Sequence, residues 1–323
     1  MSRPLLYISR LLPAPVMTTA QERFTLVNEP RDVAPSWETV QAGLRAADAA
    51  ICTLTDRIDA AMLADIAHLK VLANYAVGYN NIDLAAASRQ GIVVTNTPDV
   101  LTESTADLAW ALMLAVARRV AEGDGYVRSG TWPGWAPTQM LGTDVWGKTL
   151  GIVGMGRIGQ AVARRASGFN MAVFYCSRTP FPQGVFPLGW ERRDLLSLLR
   201  DADFISLHVP LTSETHHLIG REELALMKPT AYLINTARGP VVDEAALVSA
   251  LLQRRLAGAG LDVFEQEPAF HPILRELKQV VLLPHLGSAT LATRVRMGMI
   301  CLENIAAVLA GAPAPNQVTF ANA

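Results

Sequence analysis

The sequence has no prevailing charge. Lys and Arg supply 28 cations against 29 Asp and Glu, a formal net charge of −1 over 323 residues. The chain as a whole therefore offers no electrostatic footprint for nucleic acid or a membrane surface. A small anion, by contrast, needs only one or two local cations. Cysteine is scarce. Cys52, Cys176 and Cys301 are widely spaced and odd in number. They fit neither a disulfide framework nor a zinc pattern, so no metal site is expected and a reducing, cytoplasmic setting is. Long hydrophobic runs are also missing. The most apolar stretch, 108–116, is too short to span a bilayer. Residues 1–12 lack the apolar segment and cleavage site of a signal peptide, so no membrane partner is expected. What remains is 50% hydrophobic and 18% charged. That composition can fill large cores, and the length suggests about two domains.

Short apolar runs at 5–9, 49–54, 71–76 and 92–95 read as buried strands. Helical stretches at 37–47, 60–67 and 84–90 alternate with them, the last with Asp83 as N-cap and Gly91 as stop. A long helix is expected over 103–122, capped by Thr102, then an irregular segment to 147 holding Trp132, Trp135 and Trp146. Three of six Trp in one loop suggest a contact buried elsewhere, between subunits for example. A second series follows, with strands at 149–153, 172–175, 204–209, 232–235, 260–263 and 280–283. Its helices fall at 157–167, 194–200, 222–227 and 244–254, and a last helix is expected over 291–309. This alternation implies parallel sheets covered on both faces. Six strands with intervening helices suit a dinucleotide-binding fold, the first series forming a smaller domain.

The second series opens with Gly154-Met155-Gly156-Arg157-Ile158-Gly159. A G-x-G-x-x-G between an apolar strand and a helix is a dinucleotide-binding fingerprint. Gly154 permits the turn, Gly156 lets a pyrophosphate approach the backbone, and Gly159 lets the helix pack against the strand. The amides of Arg157 and Ile158 open that helix, whose N-terminus favours phosphate. An NAD site usually has an acid at the end of the next strand. Here Ser177-Arg178-Thr179 stands there with no acid. Arg178 can pair with a 2′-phosphate while Ser177 and Thr179 donate hydrogen bonds. NADPH is therefore expected over NADH, which the site would also admit.

Carbonyl reduction by a nicotinamide needs a proton donor, commonly His. Ligands of open α/β sheets sit at strand carboxyl ends. Both His208 and His285 qualify, so position alone leaves the choice open. Arg238 and Glu267 follow neighbouring candidate strands. A guanidinium, a carboxylate and an imidazole at adjacent strand ends form a plausible catalytic set.

With these residues in view, the chain resembles the D-isomer-specific 2-hydroxyacid dehydrogenases over nearly its whole length. The resemblance rests on Ala76-Val77-Gly78-Tyr79-Asn80-Asn81-Ile82-Asp83, the Gly154 loop and Asn235-Thr236-Ala237-Arg238-Gly239. It extends through Gly260-Leu261-Asp262-Val263-Phe264 to Glu267-Pro268 and Pro284-His285-Leu286-Gly287-Ser288-Ala289. Residues 142–159 look most like the glyoxylate/hydroxypyruvate reductase branch that also reduces 2-keto-gluconate. The resemblance implies two Rossmann-like doubly wound α/β domains, the smaller discontinuous: a substrate domain of 1–99 plus 287–323, and a dinucleotide-binding domain of 100–286. It puts the catalytic set on Arg238, Glu267 and His285, and the substrate carboxylate on the Val77 and Gly78 amides and Arg238. It assigns further cofactor contacts to Thr105, His208, Val209, Pro210, Thr215, Thr236, Ala237, Asp262 and Gly287. A Trp reaching a partner's site corresponds to Trp135, and a homodimer built on about 102–146 is implied. The implied reaction is reduction of a small 2-keto acid to its D-2-hydroxy acid, with Glu267 favouring the imidazolium of His285. Alternatives on the same fold are phosphoglycerate or phosphonate dehydrogenases and nucleotide-sensing corepressors that bind peptides. The Glu267–His285 pair argues against formate oxidation, which needs no such proton donor.

Overall fold

The computed structural model describes residues 3–179 and 189–318. Among them the strands are β1 (Leu5–Ile8), β2 (Thr25–Leu26), β3 (Ala49–Cys52), β4 (Val71–Asn74), β5 (Val93–Thr95), β6 (Thr149–Val153) and β7 (Ala172–Cys176). They continue with β8 (Glu191–Arg192), β9 (Phe204–Leu207), β10 (Tyr232–Asn235), β11 (Gly258–Leu261), β12 (Val280–Leu282) and β13 (Gln317–Val318). The helices are α1 (Ala14–Arg23), α2 (Trp37–Ala46), α3 (Leu84–Arg89), α4 (Thr102–Ala117) and α5 (Val120–Arg128). After them come α6 (Arg157–Ala166), α7 (Leu195–Asp201), α8 (Arg221–Leu226), α9 (Glu244–Leu252) and α10 (Leu291–Leu309).

The chain divides into two compact units, Met1–Leu101 with Ser288–Ala323, and Thr102–Gly287. The first holds a six-stranded sheet ordered β13-β5-β4-β3-β1-β2, parallel except for β13. Alternate residues serve its two faces: Tyr7 and Leu72 enter one core, and Leu6, Ile8, Val71 and Ala73 enter the other with Cys301 and Ile305 of α10. The second holds seven parallel strands ordered β12-β11-β10-β9-β6-β7-β8. Leu150, Ile152 and Ile234 fill one face, while Val153, Leu207 and Leu233 fill the other. A sheet buried on both faces explains why these strands read as continuous apolar runs. Strand order reverses beside β6, between β7 and β9, and that switch point is where such sheets bind ligands.

Several expectations need correction. Residues 60–67 form turns rather than a helix. Asp59 accepts from Met62 N at 3.0 Å, and Asp65 adopts a φ of 58°, which interrupts any helix. The helix expected over 103–122 breaks after Ala117 and restarts at Val120, because Arg119 sits at φ 55°. The irregular segment consequently begins after Arg128 rather than at 123. The strand expected at 260–263 lies at Gly258–Leu261. Helix α1 begins after Pro13 with no side-chain cap and escaped the sequence reading. So did the two-residue strands β2, β8 and β13. Asp83 caps α3 through Ala86 N at 2.8 Å and Gly91 follows at φ 70°, as start and stop chemistry predicts.

Candidate active site

Strand β6 delivers the chain into the glycine loop. Gly154 has φ 99°, a backbone region that favours glycine. A Cβ on Gly159 would lie 2.1 Å from Gly154 O, so α6 can lie this close to the loop only without a side chain. A Cβ on Gly156 would meet nothing within 4 Å, which leaves the backbone open at the start of α6. Gly156 occupies the N-cap with no side-chain cap, and the first turn holds no acid. Its N-terminal amides and partial positive charge suit a pyrophosphate. Arg157 and Ile158 open that turn.

The neighbouring strand ends complete the cradle. Gly154 N donates to Cys176 O at 2.9 Å, which sets the end of β7 beside the loop. Ser177 donates to Thr179 O, and Arg178 pairs with Glu214 at 3.1 Å, both partners largely exposed. After β9, Thr215 Oγ1 donates to Pro210 O at 2.6 Å and accepts from Thr212 N at 2.8 Å, shaping the loop that also carries Val209. After β10, Asn235 shapes the turn: its Oδ1 accepts from Ala237 N and its Nδ2 donates to Arg238 O, each at 3.0 Å. Thr236 Oγ1 is buried with no partner. A buried hydroxyl without a partner costs free energy, and one at this strand end fits a polar cofactor group. The residues thus suit a dinucleotide.

Beyond them, β10, β11 and β12 are neighbours, and their carboxyl ends bring Arg238, Glu267 and His285 into one region. Glu267 Oε2 meets His285 Nδ1 at 2.8 Å, while Oε1 accepts from Phe264 N at 3.0 Å. Both side chains are about a quarter exposed. Burial pushes the Glu267 carboxyl up, but the hydrogen bond and charge of His285, with Phe264 N and Arg238, hold it below its usual value. Burial pushes the Arg238 guanidinium down, and the Glu267 charge opposes that. The turn after Arg238 touches the Glu267 loop directly, since a Cβ on Gly239 would fall 1.8 Å from Phe264 O.

His285 adopts φ 57°, a left-handed conformation that costs a side-chain-bearing residue roughly 1–3 kcal/mol. Asp262 holds it there. Its carbonyl accepts from His285 N at 2.9 Å. Its carboxylate accepts from Leu286 N at 2.6 Å and Gly287 N at 2.8 Å. Thr105 Oγ1 adds a bond to Gly287 O at 3.1 Å. Burial pushes the Asp262 carboxyl up. The sequence resemblance implied cofactor contacts for Thr105, Asp262 and Gly287, and missed this clamp on the His285 turn.

The geometry separates the two histidines that position could not. His208 Nε2 lies 2.8 Å from Ser206 Oγ, and burial pushes its imidazole down to about 3. Such a ring is neutral near pH 7 and suits a wall. His285 has its carboxylate partner on Nδ1, which leaves Nε2 for another molecule.

Val77 and Gly78 belong to the first unit, after β4, where Asn96 Nδ2 holds Val77 O and Asn74 Nδ2 holds Gly78 O, each at 2.8 Å. Trp135 stands 81% exposed, with Trp132 at 48% and Trp146 at 68%. Within this chain these indoles are not buried. A cavity of about 290 Å³ lined by Arg119, Tyr232 and Lys278 lies at the opposite, amino-terminal ends of β10 to β12. It is separate from the strand ends that lead to Arg238, Glu267 and His285.

Fold and site together define a nicotinamide-dependent oxidoreductase with a carboxylate–imidazole pair near a half-buried guanidinium. Residues 110–287 match the model of the D-isomer specific 2-hydroxyacid dehydrogenase NAD binding domain. A glyoxylate reductase from Thermococcus litoralis is 49% identical over 98% of this chain and 97% of its own length. Among solved structures, the TT0316 protein from Thermus thermophilus superposes with a TM-score of 0.91 at 47% identity, covering 98% of this chain and 100% of that one. An NADPH-dependent glyoxylate/hydroxypyruvate reductase from Sinorhizobium meliloti, in complex with NADP and malonate, superposes at 0.87 with 35% identity, covering 98% and 97%. The chain belongs to the D-isomer-specific 2-hydroxyacid dehydrogenase family and is an NAD(P)-dependent D-2-hydroxyacid dehydrogenase. No helix among the described residues is long and apolar enough to cross a membrane.

Proposed function

We propose that this enzyme reduces glyoxylate and hydroxypyruvate to their 2-hydroxy acids, with 2-keto-gluconate as a further substrate and NADPH as the preferred reductant. The observation that carries the reading is the Glu267–His285 pair at 2.8 Å, set after β11 and β12, the strands beside the one that leads to Arg238. The bound reduced nicotinamide supplies the hydride for C2. Arg238 binds the keto-acid carboxylate and polarises the ketone, which a planar fork does better than a point charge. As negative charge develops on oxygen, His285 gives its proton from Nε2. Glu267 stabilises the imidazolium and fixes the ring through Nδ1. The name of the Thermococcus relative supports glyoxylate as substrate. The Ser177-Arg178-Thr179 end of β7, with no acid, supports NADPH. The exposed Trp132, Trp135 and Trp146 support a homodimer that covers them. We place the enzyme in the cytoplasm, with residues 1–99 and 287–323 as substrate domain and 100–286 as cofactor domain. One panel tests the reading: glyoxylate, hydroxypyruvate, pyruvate and 2-keto-gluconate with NADPH and with NADH, followed by loss of nicotinamide absorbance. Inactivity on all four overturns it and leaves the peptide-binding or phosphonate readings of the fold.

A further inference from the structure

Glu244 is the first residue of α9, where an acid ordinarily serves the helix dipole. The capping is already done, because Asp243 Oδ1 accepts from Ala246 N at 2.8 Å. Both Glu244 oxygens instead leave the helix. Oε2 accepts from Glu265 N at 3.1 Å and Oε1 from His271 N at 2.5 Å. These amides flank Glu267, one on either side along the chain. The grip is reciprocal: Glu265 Oε2 accepts from Glu244 N at 3.2 Å, and Glu265 Oε1 meets His217 Nε2 at 2.8 Å.

We infer that Glu244, backed by His217 through Glu265, is a positioning residue that holds the Glu267 loop against α9 and so aims the Glu267 carboxylate at His285. The inference rests on the proposed reaction for its kinetic readout but not for its structural one. Losing the Glu244 carboxylate removes its bonds to the Glu265 and His271 amides on either side of Glu267, and a misplacement of about an ångström at a catalytic group costs up to roughly a hundredfold in rate.

The test compares wild type, Glu244→Ala, Glu244→Gln and His217→Gln. The first arm follows the His285 ring signals by NMR through a pH titration, without substrate. In Glu244→Ala the His285 titration moves to lower pH, toward that of Glu267→Gln, with Glu244→Gln and His217→Gln in between. The second arm measures glyoxylate reduction with NADPH. In Glu244→Ala kcat falls about tenfold to a hundredfold, with KM for glyoxylate changed less. A double-mutant cycle completes it: adding Glu244→Ala to Glu267→Gln costs less than about twofold more, since the two act through one group. A His285 titration identical to wild type in all three variants, or additive losses in the cycle, overturns the inference. A wild type inactive on glyoxylate overturns the proposed substrate instead, and the NMR arm still decides the role of Glu244. Thermal melting and NADPH affinity of His217→Gln and Glu244→Gln separate a loosened loop from an unfolded chain.

Discussion

Glu267→Gln is the sharpest perturbation of the proposed mechanism, because it preserves shape and removes one charge. Glu267 Oε2 and His285 Nδ1 are 2.8 Å apart, each side chain about a quarter exposed. A hydrogen bond to a charged group is worth about 1.5–3 kcal/mol, and 1.36 kcal/mol corresponds to one pKa unit. Arg238 acts in the same direction, since without the Glu267 charge its positive potential opposes the imidazolium more strongly. The pH above which reduction fails should therefore fall, and on the alkaline side of that limb kcat/KM for reduction should drop about tenfold to a hundredfold. The sign follows from the proton's role: reduction needs the imidazolium, so weakening it removes the donor at lower pH. Oxidation of the hydroxy acid needs the neutral ring, and its limb shifts to lower pH as well. The assay is kcat/KM for glyoxylate with NADPH across pH, in both variants and both directions. A reductive limb that stays fixed, or moves up, refutes the pairing as the source of the proton donor.

Five further outcomes come from other parts of the cofactor unit. Gly159→Ala should destabilise the fold by about 1–3 kcal/mol, because its Cβ would meet Gly154 O at 2.1 Å. Gly156→Ala should melt like wild type yet weaken NADPH binding about tenfold or more, since its Cβ enters open space where a pyrophosphate would lie; calorimetry on both variants checks the contrast. Arg178→Leu should lower kcat/KM for NADPH about tenfold to a hundredfold and leave NADH nearly unchanged, with little loss of stability because its partner Glu214 is also exposed. Thr236→Val should leave the free protein as stable or raise its Tm, by removing a buried hydroxyl without a partner, while weakening cofactor binding. Asp203 is held below its usual carboxyl range by Lys228 and Thr149 N against the opposing effect of burial. Asp203→Asn should cost about 1–3 kcal/mol in urea unfolding near pH 7, a loss that shrinks as pH falls through the depressed carboxyl value, where wild type loses the same charge.

Much of the frame was legible because buried parallel strands are short apolar runs, and β1, β3, β4, β6 and β10 fell where those runs stand. Helix α10 matched its expected residues as well. The failures have physical causes. Arg118 and Arg119 are good helix formers, so nothing local announces the break before α5. It is stabilised by a contact between side chains, Arg119 to both Glu122 oxygens at 2.8 Å. Two-residue strands such as β8 carry no periodicity at all. Helix α1 starts behind Pro13 rather than behind a hydroxyl or carboxylate cap, which leaves Pro15 in its first turn as a weaker start signal.

The site was legible in a different sense. Sequence order scatters Arg238, Glu267 and His285 over 48 positions, and only the parallel order β10-β11-β12 makes their strand ends neighbours. The rule that ligands sit at carboxyl ends admitted His208 and His285 equally. What separates them is the environment each ring enters. His208 faces Ser206 in a half-buried position whose desolvation favours the neutral form. His285 is turned out by a left-handed backbone that Asp262 secures, toward a carboxylate 18 residues earlier in the chain. Neither the Asp262 clamp nor the Glu244 grip has a local pattern, since each joins a carboxylate to backbone amides brought near only by the sheet. Motif residues could therefore be named from the sequence, whereas the residues that hold them in place required the fold.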